Sequence, residues 1–271
     1  MALRINLNAS ALNAHRQLLG TDTALGASIE RLSSGFRINR AADDPAGLAI
    51  SENLRAQVSG LSQAISNSSD AVNLIRTAEG ALSEVHTLLR TMRNLALHAA
   101  NTGTNDATAI AADQTQIESS LAALNRIASN TQFGTKKLLD GSATGLIFQV
   151  GANANQTTSV DISGVSASDL SIAGINVTSD AQAAITALDT AISNISTLRA
   201  KLGATQRDLE SNISSLGIAK ENIAASESSI RDADMASEMV TFTRNQILLQ
   251  AGTAMLTQAN QAPQALLSLL R

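Results

Sequence analysis

Residues 54–96 read LRAQVSGLSQAISNSSDAVNLIRTAEGALSEVHTLLRTMRNLA, without a single proline. Positions three or four residues apart form one stripe, which is mostly apolar: Leu54, Val58, Leu61, Ile65, Ser68, Val72, Ile75, Glu79, Leu82, His86, Leu89, Arg93 and Ala96. This spacing is typical of a helix that packs along a partner helix as in a coiled coil. The stretch therefore predicts a long helical rod.

Helix signals lie at both ends of this stretch. Asp44 precedes Pro45; an aspartate accepts hydrogen bonds from the free amides of a first turn, and proline suits the first helical position. The apolar stripe ends near Asn101 and Gly103. We predict a helix over about 45–100, which at the rise of an α-helix is roughly 80 Å long.

The same spacing predicts further helices on both sides of the rod. The first covers about 3–33 and ends before Gly35, because glycine adopts the left-handed conformation that closes a helix. The others are predicted over 106–129, 181–231 and within 234–271. The apolar positions of the helix over 106–129 are Ile110, Ile117, Leu121 and Leu124.

Residues 133–178 have a different texture, rich in Gly, Ser, Asn and Thr. Apolar residues alternate with polar ones in three short runs: Leu146, Phe148 and Val150; Val160 and Ile162; Ile175 and Val177. Alternation of this kind predicts strands. The sequence thus indicates a mainly α fold with long antiparallel helical rods, terminal coiled-coil helices and a small β-hairpin region over 133–178.

Each terminal helix carries two apolar stripes. The stripes of the first helix are Leu18, Leu25, Ile29 and Leu32, and Ile5, Leu12 and Leu19. Those of the last helix are Met235, Met239, Phe242, Leu249 and Leu256, and Leu248, Met255, Ala262 and Leu269. A helix with two apolar faces needs more than one partner. This pattern favours a subunit that completes its core by assembly.

The composition argues against several other functions. The chain of 271 residues has four Phe, no Trp, no Tyr and no Cys, and its net charge is −4. It lacks the aromatic anchors of small-molecule pockets, the basic stripe that nucleic acid requires and any thiol chemistry. No apolar span predicts membrane insertion, and polar residues such as Asn6, Asn8 and Ser10 interrupt the start where a cleaved signal peptide needs an apolar run.

No residues at catalytic, metal or cofactor spacing are apparent. His15, His86 and His98 do not occur at HExxH spacing, and no Ser/His/Asp set is suggested. His86 falls on the stripe of the rod, where we interpret it as a partly buried histidine. Asp232 and Asp234 are interpreted as caps of the last helix rather than as cation ligands. We expect no enzyme, no metal and no cofactor.

Residues 31–50 read RLSSGFRINRAADDPAGLAI, which closely resembles the N-terminal signature of the flagellin family. The segments NSSD at 67–70, AEGAL at 78–82, IRDADMA at 230–236 and ANQAPQALLSLLR at 259–271 extend the resemblance to both ends. One departure is Phe133-Gly134-Thr135-Lys136, where the family commonly has Phe-Asn-Gly-Lys. The segment 141–180 is also too short for the outer domains of many members.

The resemblance implies a structural subunit that polymerises into the bacterial flagellar filament for swimming motility. Residues 1–42 plus 234–271 then form a terminal coiled-coil domain lining the filament core, and 43–233 form the rod domain. The expected partners are copies of the chain, the flagellar type III export apparatus, an export chaperone, the filament cap and hook-associated proteins. The expected location is extracellular, after export without a cleaved signal peptide.

The resemblance also implies site residues. The polymerisation surface is expected to include Ile5, Leu12, Leu18, Leu19, Leu25, Ile29, Leu32, Arg31, Gly35, Arg37, Asn39, Asp43, Asp44, Met235, Met239, Phe242, Leu249, Leu256, Leu266 and Leu269. An innate immune receptor contacts some members around a motif resembling LQRxREL; here the matching residues are Leu89, Arg93 and Leu95, whereas Thr91, Asn94 and Gln116 replace charged ones.

Two alternatives remain at this level. A hook-filament junction protein of the same superfamily shares the terminal helices but usually diverges from the full signature at 31–50. A cytosolic helical signalling hairpin, from a different class, predicts heptads that continue through 133–178.

Overall fold

The structure is a computed structural model that describes residues 8–269, with side chains described up to residue 261. The predictions for Ile5, and for the side chains of Ala262, Leu266 and Leu269, lie outside the described residues. The helices are α1 (Ala9–Ser34), α2 (Pro45–Ala99), α3 (Ala107–Asn130), α4 (Ala181–Arg231) and α5 (Met235–Leu269). The strands are β1 (Gln132–Phe133), β2 (Lys136–Lys137), β3 (Leu146–Gln149) and β4 (Thr157–Val160). The predicted mainly α fold is confirmed.

The chain divides into two compact units. One comprises the residues up to Ala56 together with those from Asn222 onward, and the other comprises Gln57–Glu221. The first contains α1, α5 and the adjoining ends of α2 and α4. The second contains α3, the strands and the rest of α2 and α4.

The boundaries of α1 follow from its caps. Asn8 accepts a hydrogen bond from the Ala11 amide at 3.1 Å through its side chain and caps α1, which begins at Ala9. The predicted start at residue 3 lies outside the described residues. Gly35 has φ +77° and donates its N–H to the Arg31 carbonyl at 2.8 Å. The predicted glycine stop is confirmed.

The start of α2 is also as predicted. The Asp44 carboxylate accepts a hydrogen bond from the Gly47 amide at 2.9 Å, one position after Pro45 and Ala46. A Cβ atom on Gly47 would lie 2.8 Å from Ile38 Cδ1 and 2.3 Å from Asp44 Oδ2. Glycine at this position therefore lets the cap and the buried Ile38 approach the first turn closely.

The buried face of α2 is rotated relative to the predicted stripe. Leu61, Ser68, Val72, Ile75, Leu82, Leu89 and Ala96 are buried as predicted. If Leu61, Ser68, Ile75, Leu82, Leu89 and Ala96 are taken as one position of each heptad, the next buried residue comes three positions later and not the predicted four: Ala64, Ala71, Ala78, Val85, Met92 and Ala99. Val72, at the four-residue spacing, is buried in addition. Val58, Ile65, Glu79, His86 and Arg93 are only half-buried. Small alanines carry a weak hydrophobic signal in sequence, but they allow close helix packing in the core.

α2 and α4 run antiparallel within the second unit, and three ion pairs connect them along their length. Arg93 pairs with Asp189, Glu79 with Arg199 at 3.5 Å, and Arg76 with Glu210 at 3.1 Å. The hydrogen bond from Arg93 lowers the pKa of the Asp189 carboxyl. These pairs explain why charged residues occur on the predicted apolar stripe. Glu79 and Arg93 lie at the edge of the buried face of α2, where each reaches a charged partner on α4.

The region between α3 and α4 contains two short antiparallel hairpins. β1 pairs with β2, and β3 pairs with β4 in the register Leu146 opposite Val160. Gly134 opens the β1–β2 turn with φ +60°, and Thr135 has no positive φ, which is the pattern of a type II′ turn. The displaced glycine is thus compatible with a hairpin, and heptads do not continue through this segment.

The strand predicted around Ile175 and Val177 is wrong. This segment binds the Gln114 side chain instead: the Val177 amide donates to Gln114 Oε1 at 2.9 Å, and Gln114 Nε2 donates to the Ile175 carbonyl at 3.2 Å. Both apolar side chains pack against the core of the unit. The Gln114 side chain on α3 therefore makes the hydrogen bonds to this segment that a partner strand would otherwise make.

Candidate assembly surface

α1 and α5 pack along each other in antiparallel directions. Asn8 Nδ2 donates to the Ala259 carbonyl at 2.8 Å near one end of the pair, and Arg31 pairs with Glu238 at 3.7 Å near the other. Between these ends, a Cβ atom on Gly252 would lie 3.2 Å from Leu18 Cδ1. The two terminal helices form a pair within the first unit.

The seam between these helices buries little surface. Its α1 residues are Ala11, Ala14, Leu18, Thr21, Leu25, Ser28 and Leu32, and its α5 residues are Glu238, Phe242, Asn245, Leu249, Gly252, Leu256 and Ala259. Of the α1 residues only Ser28 is buried, and no residue of α5 up to Gln261 is buried. The seam also contains Glu238, whose Oε1 atom is buried without a hydrogen-bond partner.

Large apolar side chains cover the outer faces of both helices. The exposed ones on α1 are Leu12, Leu19 and Ile29. Those on α5 up to Gln261 are Met235, Met239, Val240, Ile247, Leu248 and Met255. We call these nine residues the outer apolar surface. On α5 a shallow groove of about 490 Å³ lies among Met239, Val240, Ile247 and Leu248.

The predicted interface residues thus fall into two groups. Leu18, Leu25, Leu32, Phe242, Leu249 and Leu256 are half-buried along the seam, whereas Leu12, Leu19, Ile29, Met235 and Met239 are exposed. Ile29 was expected on the same stripe as Leu25 and Leu32, but it lies outside the seam. Sequence reasoning missed Val240 and Ile247, although their seven-residue spacing was a usable signal.

The signature residues that follow α1 form backbone hydrogen bonds with the residues at the end of α4 and just after it. Arg37 donates its amide to the Arg231 carbonyl at 2.7 Å, and the Ala233 amide donates to the Gly35 carbonyl at 2.9 Å. Phe36 and Asp232 form an antiparallel bridge between them. We call this paired segment the junction. It links the end of α1 to the start of α5.

The turn between α1 and α2 is held by carboxylates. Asp43 accepts hydrogen bonds from the Arg40 amide at 2.8 Å and the Asn39 amide at 3.2 Å, and these bonds lower the pKa of its carboxyl. Glu30 Oε1 accepts from Asn39 Nδ2 at 2.7 Å and from Arg40 Nε at 2.9 Å. Asn39 and Asp43 therefore stabilise the turn between α1 and α2.

The capping interpretation of the two aspartates before α5 is half right. Asp234 accepts hydrogen bonds from the Ala236 and Ser237 amides at 3.0 and 3.3 Å, as a cap does. Asp232 is not a cap of α5, because its carboxylate accepts from the Ser228 hydroxyl of α4 at 2.6 Å.

The residues matched to the immune-receptor motif do not share one exposed face. Leu89 is fully buried in the core of the second unit, so its side chain offers no surface to a receptor. Arg93 is half-buried and bonded to Asp189, and Leu95 is half-buried. Thr91 and Gln116 are exposed.

The remaining polar candidates stand apart from one another. His86 is half-buried with its Nδ1 atom unbonded, and His98 bonds the Asp113 carboxylate at 2.7 Å. Within residues 8–269 no group of three or more His, Cys, Asp or Glu side chains is placed to hold a metal ion. A search of the same residues found no helix with the length and apolarity needed to cross a membrane.

Terminal helices with unburied apolar faces, in a chain that also has a well-packed helical unit, are typical of a subunit that completes its burial by association. Residues 5–144 match the bacterial flagellin N-terminal helical region, and residues 185–270 match the bacterial flagellin C-terminal helical region. The chain belongs to the bacterial flagellin family, and it is a structural subunit of the flagellar filament.

Similar proteins agree with this assignment over nearly the whole chain. The chain is 45% identical to flagellin of Bacillus subtilis (strain 168), over 99% of this chain and 100% of that protein. It is 48% identical to flagellin of Halalkalibacterium halodurans, over 98% and 99% of the two chains. The crystal structure of Bacillus cereus flagellin matches with a TM-score of 0.51 at 30% identity, over 56% of this chain and 88% of that one.

A putative flagellar hook-associated protein from Vibrio parahaemolyticus shares the fold, with a TM-score of 0.59 over 70% of this chain and 100% of that one. Its identity to this chain is 15%, which supports a common fold and nothing further. The identity of 45–48% to flagellins over nearly the whole chain disfavours the junction-protein alternative. The hairpins within 133–178 likewise disfavour the signalling alternative.

Proposed function

We propose that this flagellin polymerises by burying its outer apolar surface against neighbouring copies. The observation that carries the proposal is the distribution of apolar residues around α5. Phe242 and Leu249 face the seam, while Val240, Ile247 and Leu248 are exposed on other sides of the helix. A helix with apolar residues on more than one side needs more than one partner, and α1 covers only one side of α5.

The energetics require several contacts at once. Full burial of one large apolar side chain contributes about 1.5–3 kcal/mol, and the nine residues of the outer apolar surface are already partly covered. Association costs about 4–15 kcal/mol in lost freedom. No single residue offsets that cost, so several residues must be buried together. Both α1 and α5 expose apolar side chains, and we propose that both helices contact neighbours. In this arrangement residues 1–42 plus 234–271 line the filament core, and 43–233 surround them.

The proposal extends to the other partners that the resemblance implies. These are the flagellar export apparatus, an export chaperone, the filament cap and the hook-associated proteins. Assembly takes place outside the cell, after export without a cleaved signal peptide. Mass spectrometry of subunits recovered from filaments tests the last point: we expect the sequence to begin within the first residues, and loss of about 20 residues contradicts it.

We further propose that the chain has no catalytic activity of its own. The family is structural. In the described part of the chain, the histidines are separate from one another and His98 is engaged with Asp113. The half-buried position of His86 agrees with a packing role.

The decisive experiment changes the outer face of α5 while sparing the seam. In the double variant Val240→Ser, Ile247→Ser, we expect seeded elongation to fall at least tenfold, because two exposed apolar contacts are lost. The matched control is Gln250→Ser, which introduces the same residue at an exposed polar position of the same helix. Sedimentation and negative-stain microscopy measure polymer, and circular dichroism checks helicity. Elongation of the double variant at the control rate contradicts the proposal.

A further inference from the structure

Methionine is distributed unevenly between the two units. Met92 is completely buried in the core of the second unit. Met235, Met239 and Met255, all on α5, are 46%, 50% and 65% exposed. All three belong to the outer apolar surface, and Met239 lines its groove.

These thioethers are the chain's accessible sulfur atoms in the described residues, because the sequence has no cysteine. Peroxide oxidises an accessible thioether to the sulfoxide. The sulfur attacks one peroxide oxygen, an S–O bond forms while the O–O bond breaks, and the second oxygen leaves as water after taking up the protons. Sulfur loses two electrons and the peroxide gains them.

Oxidation at these positions changes the surface where the proposed contacts form. A sulfoxide is polar and chiral, whereas the thioether is flexible and apolar. Burial of the sulfoxide oxygen without a hydrogen-bond donor is unfavourable. Arg244 lies beside Met239 in the groove, but Met235 and Met255 do not line that groove. This arginine therefore cannot donate to all three methionines.

We propose that Met235, Met239 and Met255 are oxidation sites that control assembly: peroxide converts them to sulfoxides in the free subunit and prevents its addition to the filament, whereas incorporation into the filament shields them. This inference rests on the proposed function, because it assumes that the outer apolar surface becomes buried. It adds a chemical sensitivity that polymerisation by itself does not imply. Methionine sulfoxide reductases reverse the block.

The first experiment compares free subunits with filaments under the same concentration of hydrogen peroxide. Peptide mass spectrometry follows each methionine over time. In free subunits we expect sulfoxides at Met235, Met239 and Met255 well before Met92, and in filaments we expect their formation to be at least tenfold slower. Equal oxidation rates in the two states at all three positions overturn the shielding and the block together.

The second experiment measures function. We expect seeded elongation by oxidised subunits to fall at least tenfold and to recover after treatment with reductases specific for both sulfoxide epimers. The triple variant M235L/M239L/M255L retains apolar side chains of similar volume and is expected to elongate normally before and after peroxide. The control Met92→Leu is expected to remain sensitive.

The outcomes separate this inference from the proposed function. Oxidised subunits that elongate at the normal rate overturn the redox inference, while Val240→Ser, Ile247→Ser still tests the surface on its own. If the triple variant elongates but its elongation is still inhibited by peroxide, oxidation of other residues causes the inhibition and the inference is wrong. If the triple variant does not elongate at all, reductase treatment of the oxidised natural chain decides: recovery that accompanies reduction of these three residues supports the inference, and failure to recover overturns it.

Discussion

The guanidinium carbon of Arg231 lies 4.8 Å from the centroid of the Phe36 ring, so the last residue of α4 covers the turn that follows α1. The same side chain reaches Glu52 Oε1 of α2 at 2.6 Å through an amino nitrogen, and its side chain is only 12% exposed. Its backbone carbonyl accepts the Arg37 amide. One residue therefore joins α2, α4 and the junction within the first unit.

Replacing Arg231 is expected to loosen the junction. Arg231→Lys keeps the charge but loses the flat guanidinium that stacks on the ring. We expect about 1 kcal/mol less stability for the first unit. Urea denaturation of the free subunit measures it. The control is Arg55→Lys, at an exposed arginine that also pairs with Glu52, at 3.7 Å. Equal stability of the two variants contradicts a special role for Arg231.

The corrected register of α2 is testable by overpacking. Ala78 is completely buried, whereas Glu79, on the predicted stripe, is half-buried at its edge. Ala78→Leu is expected to destabilise the second unit by about 1–3 kcal/mol, because the core has no room for the larger side chain. Gly80→Ala, where a Cβ atom meets nothing within 4 Å, is expected to stabilise by up to about 1 kcal/mol. Thermal unfolding compares the stabilities of the two variants. An unchanged melting temperature for Ala78→Leu would contradict the placement of Ala78 in the packed core.

Hydrogen exchange in the free subunit is expected to be slow in the middle of α2 and fast in α1 and α5. Leu82 and Leu89 are completely buried, whereas α1 buries Ser28 alone and α5 buries no residue up to Gln261. Segments with few buried contacts open locally at low free energy. Exchange followed by mass spectrometry provides the measurement. Protection of α5 equal to that of α2 in the free subunit would show that the seam is stable without neighbours.

Acid is expected to weaken the second unit. The hydrogen bond from Arg93 lowers the pKa of Asp189, and bonds from Gln206 and then Arg76 lower the pKa of Glu210. A carboxyl with a lowered folded-state pKa contributes stability above its unfolded pKa, about 4. That contribution is lost as the pH falls through the folded-state pKa. The difference in urea midpoint between the natural chain and Asp189→Asn is expected to shrink below about pH 4; a constant difference contradicts the linkage.

Weak activation of the innate immune receptor is expected from the matched motif. Leu89 is buried, Arg93 is engaged by Asp189, and uncharged Thr91 and Gln116 occupy the exposed positions. A hydrogen bond to a charged group contributes about 1.5–3 kcal/mol, so one restored bond corresponds to about tenfold in affinity or more. Thr91→Arg, Gln116→Glu is expected to increase reporter-cell response at least tenfold. Equal potency of the two proteins would show that these positions do not control recognition.

The helices were predictable because their signals are local. Asp44 and Pro45 define the start of α2, Gly35 defines the end of α1, and Asp234 caps α5, since each acts on amides or carbonyls within a few residues. Stripes at heptad spacing also showed that the terminal helices expose apolar faces. The sequence by itself therefore determined which segments are helical and that the terminal ones need external partners.

Only the tertiary structure decided which side of each helix is buried. Ala64, Ala71 and Ala78 are buried on α2, and a methyl group alone does not reveal that burial in sequence. The same holds for Gln114, which pairs with a distant segment, and for Arg231, which contacts Phe36 after α1 and Glu52 on α2. Heptad spacing fixes a period along one chain, but the phase of the buried face depends on contacts between residues far apart in sequence.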